Sequence, residues 1–187
     1  NAAASAGRLG SWVTVNGRAP PLPITARPGA RIRLRLANAC NARIMRLRFD
    51  GGKATVIAVD SQPTESFEPV RSQLPFAPGT RYDVILDLPI EVGAAVNISA
   101  LIGGGLPLVR IVTAGQPQVP PAAAPALKLN PALPLGVRMQ DALRPELVIE
   151  GGAKLTEDQK LDFTGLDLAS PWRVNGGMGS FEGKPLF

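Results

Sequence analysis

The chain contains no histidine and a single cysteine, Cys40. Of the two side chains that most often hold transition metals or activate nucleophiles, one is therefore missing and the other stands alone. Cys40 lies in an Asn-rich turn, Asn38-Ala39-Cys40-Asn41, where nothing supplies the imidazole that would make it a reactive thiolate. Its expected role is that of a small buried hydrophobe, with Asn38 and Asn41 satisfying loop backbone groups. Tyr82 follows the Pro78-Gly79 turn at the start of a strand. That position suits a tyrosine corner, whose hydroxyl bonds back to the main chain and fixes a crossover, better than a redox-active phenol. Asp60 and Asp83 would need a cleft and a partner to act as general acid and base. They either pair with arginines such as Arg35 or Arg81 at the strand ends or simply face water. Gly103-Gly104-Gly105 lacks the following Lys-Ser/Thr and helix of a phosphate loop, and reads as a strand connection.

These residues need strands to hold them. Arg31-Ile32-Arg33-Leu34-Arg35-Leu36 alternates strictly, with Ile32, Leu34 and Leu36 on one face and the arginines on the other. Met45, Leu47 and Phe49 resume the pattern with Arg46 and Arg48 outside. Thr55 to Val59 is a short β-branched run suited to a strand covered on both faces. Tyr82, Val84, Leu86 and Leu88 alternate through Thr80 to Leu88, Val96, Ile98 and Ala100 through the next run, and Leu108 to Thr113 closes the series.

Turns punctuate the chain at the spacing of a sandwich or barrel. Trp12 to Val15 reads as a short strand ending at Asn16-Gly17, both of which tolerate positive φ. Pro20, Pro21 and Pro23 mark an edge or crossing segment. Six prolines between Gly115 and Pro134 imply an extended crossing rather than helix or central strand. Leu143 to Glu150 is expected to form a last strand with Leu147 and Ile149 inward, and Thr156 to Lys160 a capped helical turn.

Composition narrows the class. Among 187 residues, 45% are hydrophobic, with 20 glycines and 19 prolines. That is enough aliphatic content for a core and too many turn formers for long helices. No stretch reaches the roughly 20 apolar residues of a membrane span. Residues 1–49 hold nine arginines and no acid, so the net charge of +5 divides into +9 and −4. A basic patch of this kind could bind nucleic acid, but the arginines alternate as the outer face of strands and no aromatic residues are interleaved with them, so no nucleic-acid partner is expected. Some of them could instead meet an acidic neighbouring domain.

One repeat extends the reading. Trp12-Val13-Thr14-Val15-Asn16-Gly17 returns as Trp172-Arg173-Val174-Asn175-Gly176, a spacing that fits two successive β domains rather than a solenoid. The chain is therefore expected to be a piece of a larger protein. Residues 1–10 form a flexible lead or expression remnant, 11–152 a β domain, 153–170 a linker, and 171–187 the truncated first strand of a following domain. The two tryptophans are expected to anchor these first strands to a core or to a domain interface.

Four segments then carry a resemblance: Val15-Asn16-Gly17-Arg18; Pro28-Gly29-Ala30-Arg31 through Arg35-Leu36-Ala37-Asn38-Ala39; Val56-Ile57-Ala58-Val59-Asp60; and Ala77-Pro78-Gly79-Thr80-Arg81-Tyr82-Asp83-Val84. In this order they resemble the middle domain of the three-domain, laccase-like multicopper oxidases. The resemblance implies an all-β, cupredoxin-like Greek-key β-sandwich with a Pro-rich crossing segment and a C-terminal linker tail. It implies structural roles for Asn16, Gly17, Arg35, Asn38, Asp60, Gly79, Arg81, Tyr82 and Asp83, and no catalytic, cofactor or metal residues. Copper would belong to the parent protein, which would be periplasmic or secreted and would couple substrate oxidation to reduction of oxygen. The flanking cupredoxin domains of the same polypeptide are the implied partners. Cys40 and Met45 could at most capture Cu(I) adventitiously. Ser61, where a glycine commonly follows the aspartate, and the polar Thr64 to Pro69 stretch depart from the family pattern. Rival readings are a copper-less exported scaffold of the same family and a free-standing carbohydrate- or protein-binding sandwich.

Overall fold

A computed structural model of the chain describes residues 9–123, 126–134, 136, 139–151, 154–155, 161–162 and 172–175. Two compact units are present, Leu9–Leu133 and a second comprising Asn1–Arg8 and Pro134–Phe187. The first is a β-sandwich. Among the described residues there is no α-helix, only a single 3-10 turn at Val70–Ser72.

Nine strands build it: β1 (Leu22–Ala26), β2 (Arg31–Ala37), β3 (Met45–Asp50), β4 (Lys53–Val59), β5 (Gln62–Phe67), β6 (Gln73–Phe76), β7 (Arg81–Asp87), β8 (Ala95–Ala100) and β9 (Leu106–Thr113). They form a five-stranded sheet in the order β1-β9-β8-β3-β6 and a four-stranded sheet in the order β2-β7-β4-β5. The chain crosses repeatedly from one sheet to the other, as a Greek-key sandwich requires. Alternation dictates the core. Met45, Leu47 and Phe49 of β3, Val56 of β4, Val84 and Leu86 of β7, Val96 and Ile98 of β8 and Ile111 of β9 fill the space between the sheets, and burial of their apolar surface is the main driving force for the fold.

The proline-rich start is an edge strand. β1 lies at the border of its sheet and pairs in parallel with β9, Pro23 opposite Arg110. A proline cannot donate to a ladder, so it is confined to such a position. In the second proline-rich stretch, the described residues from Gly115 to Pro134 hold neither helix nor strand, as expected of a crossing. Gln118 N–H donates to Pro28 O at 3.0 Å, Asn130 Nδ2 to Gln62 Oε1 at 3.2 Å, and Leu127 is half-buried.

Some expectations are corrected. Trp12 to Val15 is not a strand: only Val15 and Arg18 pair, exchanging hydrogen bonds of 2.9 and 3.0 Å across the Asn16-Gly17 turn. Trp12 is 88% exposed and anchors nothing within this unit. β5, covering the polar stretch, and β6 are strands that sequence alternation did not reveal, since β5 is an exposed edge strand and β6 spans four residues including Pro75.

In the second unit, β10 (Ile149–Gly151) pairs antiparallel with β13 (Trp172–Val174), and β11 (Lys154–Leu155) with β12 (Leu161–Asp162). Leu147 and Ile149 are exposed rather than inward. The helical turn expected over Thr156 to Lys160 lies outside the described residues. Both copies of the repeat place their asparagine at positive φ, 51° for Asn16 and 49° for Asn175.

Candidate functional site

A groove of about 420 Å³ opens on the outer face of the β2-β7-β4-β5 sheet. Arg33 and Arg35 of β2, Ala58 of β4, Arg81 and Asp83 of β7, Ser61, Pro63 and Leu127 border it. A β-bulge creates its floor. The register of β4 shifts between Val56 and Ala58 against both neighbours. Ala54 and Val56 face the core before the bulge and Val59 packs against it afterwards. The extra residue reverses the alternation, and Ala58 comes to stand opposite Asp83 on the outer face. Ile57 and Ile85 are buried yet lie outside the inter-sheet cluster. Leu127, from the crossing segment, borders the groove on this face.

Charge is unevenly settled around the groove. Arg31 makes a bidentate pair with Asp87, Nε to Oδ1 at 2.6 Å and Nη2 to Oδ2 at 2.8 Å, which with its Coulombic attraction raises the Arg31 pKa against the opposing effect of desolvation. Arg33 donates from Nε to Asp83 Oδ2 at 3.1 Å and from Nη2 to the same oxygen. Arg35 is the direct register partner of Asp83, yet its Nε lies 3.9 Å from that oxygen and its side chain is 77% exposed. The diagonal neighbour takes the carboxylate, a reach that long side chains achieve across twisted strands.

Arg81 is held differently. Its Nε donates to Ser61 Oγ at 3.3 Å, Nη1 to Gly79 O at 3.1 Å and Nη2 to Asp60 O at 3.2 Å. All three acceptors are neutral. The Asp60 carboxylate instead accepts the Arg81 backbone N–H, at 2.8 Å. Among the described residues no carboxylate comes within ion-pairing distance of the Arg81 guanidinium.

The remaining residues singled out from sequence brace this end of the sandwich. Tyr82 Oη donates to Pro75 O at 2.9 Å, the tyrosine-corner bond, and its ring stacks on Phe76 with centroids 6.1 Å apart. Burial first, and the Asp60 charge second, push its pKa up. Asn38 is buried and fully used. Its Nδ2 donates to Phe76 O and Arg43 O, its Oδ1 accepts the Cys40 N–H, and its carbonyl accepts the Gly79 N–H at 2.8 Å. Gly79 has φ +82° with open space around the missing side chain, so backbone conformation rather than crowding asks for glycine. Asn16 and Gly17 form a separate turn that does not border the groove.

Arg35, Arg81, Tyr82 and Asp83 are thus brought to one place, Asp60 braces Arg81, and Asn38 and Gly79 tie the adjoining loops. Sequence reasoning did not assign Arg33, Ala58, Pro63 or Leu127 to the site. Alternation put Arg33 on the correct face, but no sequence signal showed the bulge or the path of the crossing segment.

The family model for multicopper oxidases matches residues 2–94. Residues 2–94 thus match the multicopper oxidase family, and the sandwich has the cupredoxin-like fold of its members. A multicopper oxidase LPR1 homolog 3 from Oryza sativa subsp. japonica is 42% identical over 86 residues, 45% of this chain and 15% of that protein. The cell division protein FtsP of Sodalis glossinidius is 36% identical over 107 residues, 57% of this chain and 22% of that protein. A crystal structure of a multi-copper oxidase from Pseudomonas thermotolerans superimposes with a TM-score of 0.61 at 30% identity, covering 71% of this chain and 31% of that one. The chain therefore spans less than a third of the length of each of these relatives.

The copper centres of this family ask for donors that the chain does not supply. A blue-copper site needs two imidazoles and a thiolate, and multinuclear copper sites rely on imidazole; the chain has one cysteine and no histidine. Cys40 N–H bonds to Asn38 Oδ1, and Met45 is packed in the core. Among the described residues no three His, Cys, Asp or Glu side chains gather as a metal site. The donor set does not fit copper. No helix among the described residues is long and apolar enough to cross a membrane.

Proposed function

We propose that this chain is the copper-free middle domain of a longer multicopper-oxidase-type polypeptide, periplasmic or secreted. It sets the distance and orientation of flanking copper-bearing domains and forms part of the substrate approach. The observation that carries this reading is the lack of any imidazole in a sandwich whose family binds copper through imidazole. The contribution is geometric: a rigid spacer keeps reacting centres aligned without making bonds itself. The parent would couple one-electron oxidation of phenolic or metal-ion substrates to reduction of oxygen to water, and this chain alone would be catalytically silent.

The test is titration of the purified chain with Cu(II). No blue charge-transfer band and no phenol oxidation are expected, whereas stoichiometric blue copper would overturn the reading. A second reading is supported by the match to a cell division protein, namely a copper-less scaffold of the same family. Metal analysis of the longer polypeptide separates the two: bound copper favours the oxidase, and a metal-free, inactive protein favours the scaffold.

A further inference from the structure

We propose that the groove above Ala58, between Arg35 and Arg81, is a binding site for a small organic anion with one carboxylate on an apolar body. The inference does not depend on whether the parent holds copper. Three guanidiniums and one carboxylate border the cavity. Arg33 is committed to Asp83 through two donors on one oxygen. Arg81 is oriented by two carbonyls and a hydroxyl, which fix its plane without neutralising its charge. Arg35 stands exposed, 3.9 Å from an oxygen already occupied. The Arg35 fork and the two N–H groups of Arg81 not used by its three neutral acceptors remain for an incoming carboxylate, and guanidinium–carboxylate pairing is among the stronger hydrogen-bonded contacts available.

The ligand's other features follow from the walls. Ala58, Pro63 and Leu127 supply apolar surface, and the volume of about 420 Å³ lies within the usual range for small-molecule sites. Asp83 repels a second negative charge on the ligand, so a monocarboxylate with a flat apolar body fits better than a polyanion. Fixed hydrogen bonds on Arg81 reduce the ordering cost of binding.

Benzoate is the probe, with benzyl alcohol as its uncharged counterpart and acetate as the anion without the apolar body. The full chain, isotopically labelled, is titrated at constant ionic strength while the arginine Nε–H resonances are followed. Saturable shifts of Arg35 and Arg81 are expected with benzoate, weaker ones with acetate and none with benzyl alcohol. Arg35→Gln, at an exposed side chain, should leave the melting temperature unchanged and weaken benzoate about tenfold. Arg46→Gln, on the other sheet, should leave binding intact. Equal responses in the two variants, shifts that never saturate, or equal binding of benzyl alcohol would overturn the proposal. So would loss of the response in a longer polypeptide carrying a flanking domain, which would assign the groove to that domain's own carboxylate.

Discussion

β2 and β3 carry the same written pattern, arginine alternating with an apolar residue, and the sandwich uses them differently. In β2 the outward arginines meet β7, where Asp87 and Asp83 stand at register positions opposite Arg31 and Arg35. In β3 the outward Arg46 and Arg48 lie opposite Pro75, Gln73 and Ser99. The carboxylate that Arg48 reaches is its own strand's Asp50, with both side chains well exposed. Alternation decides which face a side chain occupies, whereas register decides whom it meets. One arginine row is paired with carboxylates across the strands and has a cavity beside it; the other remains a solvated surface.

Inward positions test the shared half of the comparison. Phe49→Ala on β3 removes one of the largest fully buried side chains. It should cost about 3–5 kcal/mol in urea denaturation. A loss below about 1 kcal/mol would show that β3 does not supply the common core.

Outward positions test the difference. Asp87→Ala should lower the urea midpoint measurably, because it removes both acceptors of the bidentate Arg31 fork. Asp50→Ala should cost less than about 0.5 kcal/mol. Equal losses would remove the distinction between the two arginine rows.

The smallest effect concerns Tyr82, the only tyrosine in the chain, on the strand that partners β2. Its folded-state pKa is raised above the unfolded value of about 10. The native state therefore holds the phenolic proton more tightly than the unfolded chain. That contribution is fully present below pH 10 and is lost as pH rises through the folded-state value. Phenolate absorbance should thus appear later than in an unfolded control, with stability falling over the same interval. Coincident titrations would mean that the corner hydroxyl is not held by the sandwich.

Legibility of the sequence followed burial. β2, β3, β7, β8 and β9 were legible because one face of each packs on the core, with inward residues buried in it or, in β2, half-buried against it. β5 has neither face in the core and left no pattern to read. Tyr82 could be assigned a backbone acceptor from its place after Pro78-Gly79, although Pro75 itself could not be named. Trp12 is not an anchor to this unit's core, since it lies exposed beside an isolated two-residue turn. The groove was half legible: its arginines and aspartates were visible as outward strand residues, but not their pairing.

Local chemistry is what the sequence determined by itself: the lack of imidazole, the strand alternation, the turns at Asn16-Gly17 and Pro78-Gly79, and the placing of the two proline-rich stretches at an edge and in a crossing. Each depends on a residue and its near neighbours. Only the tertiary structure decided that Arg33 rather than Arg35 takes Asp83, that a bulge turns Ala58 outward, and that Leu127 borders the same groove. Those outcomes depend on register between strands and on sheet twist, which are set by contacts between residues far apart in the chain.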